Sequence, residues 1–291
     1  MEFLSHDELR VRTKEILDNM LILSDKGQIS LHGRNDIGIY WMIKWTHALE
    51  EFALRYGPYP NGFSDGSMKD APTVNPTYPA SPPAREAIGS IQNNCIYKFG
   101  KHEHLAAMFN YGRIRIAPAS YYADPSLNKA IQDDELSFKV ESRSDQLKIQ
   151  NETGQQIHTF GKVTFHLKSP TNYYVHCFAS QYTYREYDDF DADTCIIITE
   201  PRKLFQKMMK AVRVLKPDFE GFASPVKYLD PLTCDPKDIN IFLSKHFRYS
   251  YQNEVRTVWL PNRPTDDLEP FFIEIGSLKK FAKLITIPTD D

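Results

Sequence analysis

Tyr249-Ser250-Tyr251-Gln252-Asn253-Glu254-Val255-Arg256-Thr257-Val258-Trp259 is rich in aromatic and β-branched residues and stops at Leu260-Pro261, the composition of one β-strand. Side chains two apart on a strand share a face. Gln252, Glu254 and Arg256 therefore project together, while Tyr251, Asn253, Val255 and Thr257 project the other way. Two arrangements satisfy that alternation. Either the polar face is solvated, with Glu254 and Arg256 as ordinary surface charges, or a Gln-x-Glu pair is aimed at one spot in the fold.

Further strands lie upstream and downstream of this one. Cys95-Ile96-Tyr97-Lys98-Phe99 reads as a short strand, Leu105, Met108 and Phe109 give a helical stripe closed by Gly112, and Arg113 to Ala117 alternates as a strand. Residues 136–167 read as hairpins broken at Asn151-Glu152-Thr153-Gly154, and strands follow at 173–178 and 195–199. A helix over 203–215 turns Leu204, Phe205, Met208, Val212 and Leu215 inward, and 238–246 reads as another short helix. Phe271 to Ile275 and Leu284 to Ile287 are the last strand candidates.

Two helices precede these strands. Ser5-x-x-Glu8 is a capping box, and Leu9, Ile16, Leu17, Met20 and Leu23 after it predict a helix to about Ser24. Trp41, Trp45, Ala48, Leu49 and Phe52 form one apolar stripe ending near Gly57-Pro58. From Gly57 the chain is crowded with Pro, Gly, Ser and Asn and has no apolar period. The expected organisation is a helical accessory unit over 1–56, a linker or long loop over 57–90, and an α+β domain over 91–291.

Composition bounds the function. Of 291 residues, 41% are hydrophobic and 25% charged, which is ordinary for a globular chain, while 13% aromatics leans toward sheet or a stacking pocket. The net charge of −3 argues against holding nucleic acid by bulk electrostatics. Four widely spaced cysteines form no C-x-x-C pair, and the N-terminus lacks a signal-peptide pattern, so a cytoplasmic protein without a membrane span is expected. His102-x-His104 at a helix start diverges, and Asp188, Asp189, Asp191 and Asp193 lack the Gly and closing Glu of a calcium loop, so no metal is expected. Arg202, Lys203, Lys207, Lys210, Arg213 and Lys216 decorate one helix, either as a solvated face or as a phosphate contact.

A strand-helix-strand opening with Tyr97-Lys98, a middle strand running into Ser180, and a late strand with Gln252-x-Glu254 follow one another in this chain. That order resembles the ADP-ribosyltransferase superfamily, whose motifs are a His or Arg on the first strand, an aromatic or Ser-Thr-Ser in the middle and a late Glu. Ile96-Tyr97-Lys98-Phe99, with His104-Leu105 and Asn110-Tyr111-Gly112, looks like the opening of its DNA-modifying and toxin-type members. The chain is also similar to a large bacterial domain family of long-unassigned function. The shared motifs are Tyr97-Lys98-Phe99, Pro118 to Pro125 with Tyr121, Tyr122 and Asp124, Cys177-Phe178-Ala179-Ser180, and Glu254-Val255-Arg256. Both resemblances fall within residues 95–260. Two departures stand out: Lys98 is a point charge where a planar fork is usual, and Cys177-Phe178-Ala179-Ser180 replaces Ser-Thr-Ser.

The resemblance implies an α+β fold of split, mainly antiparallel β-sheets of ADP-ribosyltransferase type with flanking helices, plus the N-terminal helical unit. It implies NAD as substrate and no metal. Breaking a nicotinamide–ribose bond passes through an oxocarbenium-like state, which a carboxylate beside the ribose stabilises. Glu254 is the candidate, with Gln252 and Ser180 as its catalytic companions. Tyr97, Tyr121, Tyr122 and Phe178 are candidates to sandwich the nicotinamide, and Lys98 or Arg115 to meet the pyrophosphate; core packing is the alternative for these aromatics. The implied function is modification of an intracellular macromolecule, nucleic acid or protein, by a bacterial toxin or phage-defence effector. The alternatives are an NAD glycohydrolase and a non-catalytic nucleotide- or protein-binding module on the same scaffold. The N-terminal helices either dock an antitoxin or other partner protein or cover the site, and the sequence does not choose.

Overall fold

The structure is a computed structural model that describes residues 1–23, 28–33, 35–57, 94–144, 149–157 and 161–287. In chain order it begins with α1 (His6–Met20), β1 (Leu21–Leu23), β2 (Ile29–Leu31), α2 (Asp36–Tyr56), β3 (Ile96–Gly100), α3 (His102–Tyr111) and β4 (Arg113–Pro118). There follow β5 (Ser137–Arg143), β6 (Ile149–Gln150), β7 (Gln156–Ile157), β8 (Lys162–Lys168), β9 (Tyr174–Ala179), α4 (Arg185–Asp189) and β10 (Thr194–Ile198). The remaining elements are α5 (Pro201–Leu215), β11 (Phe219–Pro225), β12 (Lys227–Leu229), β13 (Ser244–His246), β14 (Glu254–Pro261), β15 (Phe271–Glu274) and β16 (Ala282–Thr286). Two compact units emerge: Met1–Pro76 with Ser142–Val163, and Thr77–Glu141 with Thr164–Asp291. Residues 142–163, which the sequence reading kept in the later domain, thus cluster with the N-terminal unit. The expected linker, apart from Gly57, lies outside the described residues as far as residue 90.

In the first unit the capping box forms in full, with the Glu8 amide donating to Ser5 Oγ and the Ser5 amide donating to Glu8 Oε2. Leu9, Ile16, Leu17 and Met20 are buried, facing α2, which buries Trp41, Ala48 and Phe52. The Leu, Ile, Met and Phe side chains among them each contribute roughly 1.5–3 kcal/mol of apolar burial. The helix expected to reach Ser24 stops at Met20, because Leu21 to Leu23 pair antiparallel with β2, Leu21 opposite Leu31. Asn35 caps α2 by accepting from the Gly38 amide at 2.9 Å.

The second unit is built on an eight-stranded sheet in the order β11-β14-β9-β3-β10-β16, all neighbours antiparallel. The sheet forks at β9. One edge of β9 carries β14 throughout, while the other is shared: β3 pairs at Ala179 through Tyr97, and β4 pairs at Val175 and Tyr174 through Ala117 and Pro118. β15 then adds to β4. With one parallel pair, β12-β13, the architecture is mixed α+β with mostly antiparallel sheets.

Alternation of side chains explains the core. Ile96, Phe178, Ile196, Ile198 and Trp259 pack with α3 and with Leu204, Met208 and Val212 of α5. The opposite face holds Ala119, Tyr173, Val175 and Val258. The helix read over 203–215 starts at Pro201, whose fixed φ suits a first helical position, and its expected inward residue Leu215 is 54% exposed. The short helix expected over 238–246 is instead a 3₁₀ turn, Pro236–Asp238, followed by β13.

The quoted stretch is not one strand. Phe247–Gln252 winds as a 3₁₀ helix, with His246 accepting from the Arg248 amide at its start. Asn253 takes the left-handed conformation, φ 44° and ψ 48°, and the strand begins only at Glu254. Asn tolerates that conformation better than the other residues around it. The alternation holds from there on: Glu254 and Arg256 share a face, and Val255 and Thr257 take the other.

Candidate active site

Glu254 and Arg256 do not face water. Their side chains are 5% and 0% exposed and meet directly, Arg256 Nε donating to Glu254 Oε1. Around them the chain folds three further charged groups inward. Lys245, from the short strand β13, places its ammonium 3.1 Å from Glu254 Oε2 and 3.2 Å from Gln252 Oε1. Glu135, just before β5, accepts from Arg256 Nη2 at 2.7 Å and lies 3.8 Å from the Lys245 ammonium. Asp133 stands 3.8 Å from the same ammonium. Gln252 is fixed from behind by donating to the Ala130 carbonyl at 2.7 Å.

Three carboxylates here face two cations. Burial alone would raise the Glu254 carboxyl, but the Arg256 guanidinium and Lys245 ammonium more than offset it and hold it well below the usual carboxylate range. The Cys177 thiol adds a hydrogen bond in the same direction. For Glu135 and Asp133 burial wins, and both are pushed up despite the same cations. Burial would lower Lys245 as well, yet Glu254, Glu135 and Asp133 together raise it. The two cations thus prevail at Glu254, while burial prevails at Asp133 and Glu135.

Tyrosines wall this centre. Tyr228 Oη accepts from the Glu254 amide at 2.8 Å, the Tyr249 ring lies 4.4 Å from the Lys245 ammonium, and Tyr173 donates to the Glu135 carbonyl. Burial, first among causes, raises the Tyr122, Tyr173 and Tyr228 hydroxyls, with nearby Glu254 or Glu135 adding to it. All of these groups stay protonated near neutrality.

The nine residues expected from the sequence do not gather in one place. Gln252 and Glu254 are in the centre, and Tyr122 flanks it. Lys98 is at the fork, where its ammonium donates to the Cys177 carbonyl at 2.9 Å, and burial lowers its pKa. Tyr97 shares a cross-sheet row with Glu254, since both pair with Ala179, but its ring packs edge-on to Tyr182 at 5.7 Å. Burial pushes the Tyr97 hydroxyl up to about 12. Phe178 sits in the core against Phe205 and His176. Arg115 and Tyr121 are on the surface, stacked at 4.4 Å. Ser180 ends β9, its amide and hydroxyl both donating to the Asn253 carbonyl, and it lines an open groove of about 1250 Å³ with Ile96, Arg202, Phe205 and Val255. Glu254 does not line that groove.

Lys245, Glu135 and Asp133 escaped the sequence reading, and the solvated-face alternative for Glu254 and Arg256 is overturned by their burial. The acidic run Asp133-Asp134-Glu135 before a strand was the available signal for two of them; Lys245, amid Leu243-Ser244-Lys245-His246, gave none. Lys98, Cys177, Glu254 and Arg256 form a run of contacts: Lys98 donates to the Cys177 carbonyl, the Cys177 thiol bonds Glu254, and Arg256 donates to Glu254.

Among the described residues no helix is long and apolar enough to cross a membrane. None of their His, Cys, Asp and Glu residues group in threes that could hold a metal ion; the cations at the three carboxylates are Lys245 and Arg256 of the chain itself. In comparisons with known proteins, the chain matches no protein family, no curated protein and no solved structure.

Proposed function

We propose that this chain is an NAD-dependent ADP-ribosyltransferase that modifies a macromolecule, nucleic acid or protein, with Glu254 as the carboxylate beside the ribose. The observation that carries the reading is the convergence of Gln252 and Glu254 on one point, the Lys245 ammonium, with Glu254 held ionised among tyrosine rings. A carboxylate already bound to an ammonium is complementary to positive charge, and an oxocarbenium-like ribose presents such a charge. In the transfer the bond from ribose C1′ to the nicotinamide nitrogen breaks, and its electron pair leaves with neutral nicotinamide. The acceptor's oxygen or nitrogen bonds C1′ and loses its proton to solvent. Gln252 supplies an amide that orients a ribose hydroxyl. The ribose competes with Lys245 for Glu254.

Purified protein incubated with radiolabelled NAD and cell lysate tests this. Label on protein or nucleic acid that disappears in Glu254→Gln and weakens in Gln252→Ala, with both variants folded by circular dichroism, is the expected result. Free ADP-ribose without labelled acceptor would mean NAD hydrolysis instead, and neither product would overturn the reading.

The burial of Glu254 with both cationic partners favours a second reading, a non-catalytic nucleotide- or protein-binding module in which the charge centre fixes the sheet. It predicts that folded Glu254→Gln keeps the full biological effect.

A further inference from the structure

On a two-stranded wing, every second residue faces away from the core. β4 and β15 pair with Arg115 opposite Phe272 and Arg113 opposite Glu274, while Ile114, Ile116 and Ile273 between them are buried in the main cluster. The outer face therefore carries Arg113, Arg115, Phe272 and Glu274 as one block. Tyr121, in the 3₁₀ turn Ala119–Ala123 just after β4, joins the block through Arg115, which lies over its ring.

Its aromatic rings are exposed to an unusual degree for their size: Phe272 51% and Tyr121 37%. Both guanidinium groups lie over rings, Arg113 at 4.6 Å from the Phe272 centroid and Arg115 at 4.4 Å from that of Tyr121. Each guanidinium is held against a ring while its residue stays exposed, which leaves N–H donors available to a ligand.

Rings that accept a base on their face, interleaved with guanidinium groups that meet phosphate, are the chemistry of unpaired nucleic acid. A duplex keeps its base faces stacked internally and offers these rings nothing. Glu274 selects between the two unpaired polymers. A carboxylate among phosphate-binding groups repels the backbone, but it accepts a hydrogen bond from a ribose 2′-hydroxyl, which DNA lacks. We infer that the outer face of β4–β15 binds single-stranded RNA, with Phe272 stacking a base, Arg113 and Arg115 meeting phosphates and Glu274 meeting a 2′-hydroxyl. The inference stands on this surface and not on the transferase reading.

Fluorescence anisotropy of the full chain with a short labelled oligouridylate, in the absence of NAD, tests it. Phe272→Ala is expected to weaken binding about tenfold or more. Arg113→Ala with Arg115→Ala should weaken it and lower the slope of log affinity against log salt by about 1.4, two phosphates at about 0.7 each. Glu274→Gln should bring the deoxy oligomer up toward the affinity of RNA. All four positions are on the surface, so thermal melting should find the fold intact. Equal affinity of the unsubstituted chain for the deoxy oligomer would overturn the assignment to RNA. No binding, or binding untouched by the Phe272 and Arg substitutions but lost on Lys210→Glu in α5, would overturn the surface itself.

Discussion

At the scale of single residues, the charge centre sets the largest expected effects. Removing one member of a buried ion pair strands the other, so Lys245→Ala and Glu254→Ala should each lower stability by about 3–5 kcal/mol in urea denaturation. Asp133→Asn is different in sign. Asp133 lies above its ordinary 3.8 in the folded state, so its contribution is full below 3.8 and is lost as pH rises from there through the higher folded value. Removing that charge should leave stability at neutral pH unchanged or raise it by up to about 1 kcal/mol. Glu254 runs the other way: its contribution is present above its unfolded value of 4.5 and is lost as pH falls below it. Glu254→Gln should therefore flatten the acid side of a stability-against-pH curve, while Asp133→Asn steepens it.

Elements were legible where their apolar spacing had no competitor. The buried trio Leu204, Met208 and Val212 gave α5, and the β-branched run Cys195 to Thr199 gave β10. Legibility failed at the 3₁₀ stretch over 247–252, because Tyr249 and Tyr251 have strand propensity while tertiary partners engage them, the Tyr249 hydroxyl donating to the Gln132 carbonyl and the Tyr251 ring lying 3.7 Å from the Arg185 guanidinium. The candidate site was half legible for the same reason. Glu254, Gln252 and Arg256 are close in sequence and alternate, whereas Lys245 and Glu135 reach them only through the fold. The joint at Asn253 is itself testable. A β-branched residue there, Asn253→Val, should cost about 1–3 kcal/mol through the left-handed backbone, and Asn253→Gly should be nearly neutral, as read from thermal melting. At Gly112, φ is 70° and an added Cβ would lie 2.3 Å from the Gly276 carbonyl oxygen, so Gly112→Ala should disturb the α3–β4 corner more severely.

For the whole molecule, the sequence conveyed helices first and a strand-rich unit after, but not the return of 142–163 to the earlier unit. Nothing local marks such an excursion, since it depends on which surface the ribbon finds. One tie within that unit is the Lys162 ammonium on Glu8 at 2.9 Å, which, with the Ser5 amide, lowers the Glu8 carboxyl to about 2. The pair is open to solvent and screened, so Lys162→Ala should cost no more than about 1 kcal/mol at neutral pH, and the loss should shrink with added salt. A larger feature is the fork at β9. Two strands splaying from one edge leave a main-chain oxygen between them that no third strand can reach, and the Lys98 amine fills that place. The wings are thus pinned by a side chain at their apex. Prising them apart would strand a dry oxygen, so Lys98→Met should loosen β3 and β4 together, seen as faster amide exchange along both, at a cost of about 1–3 kcal/mol.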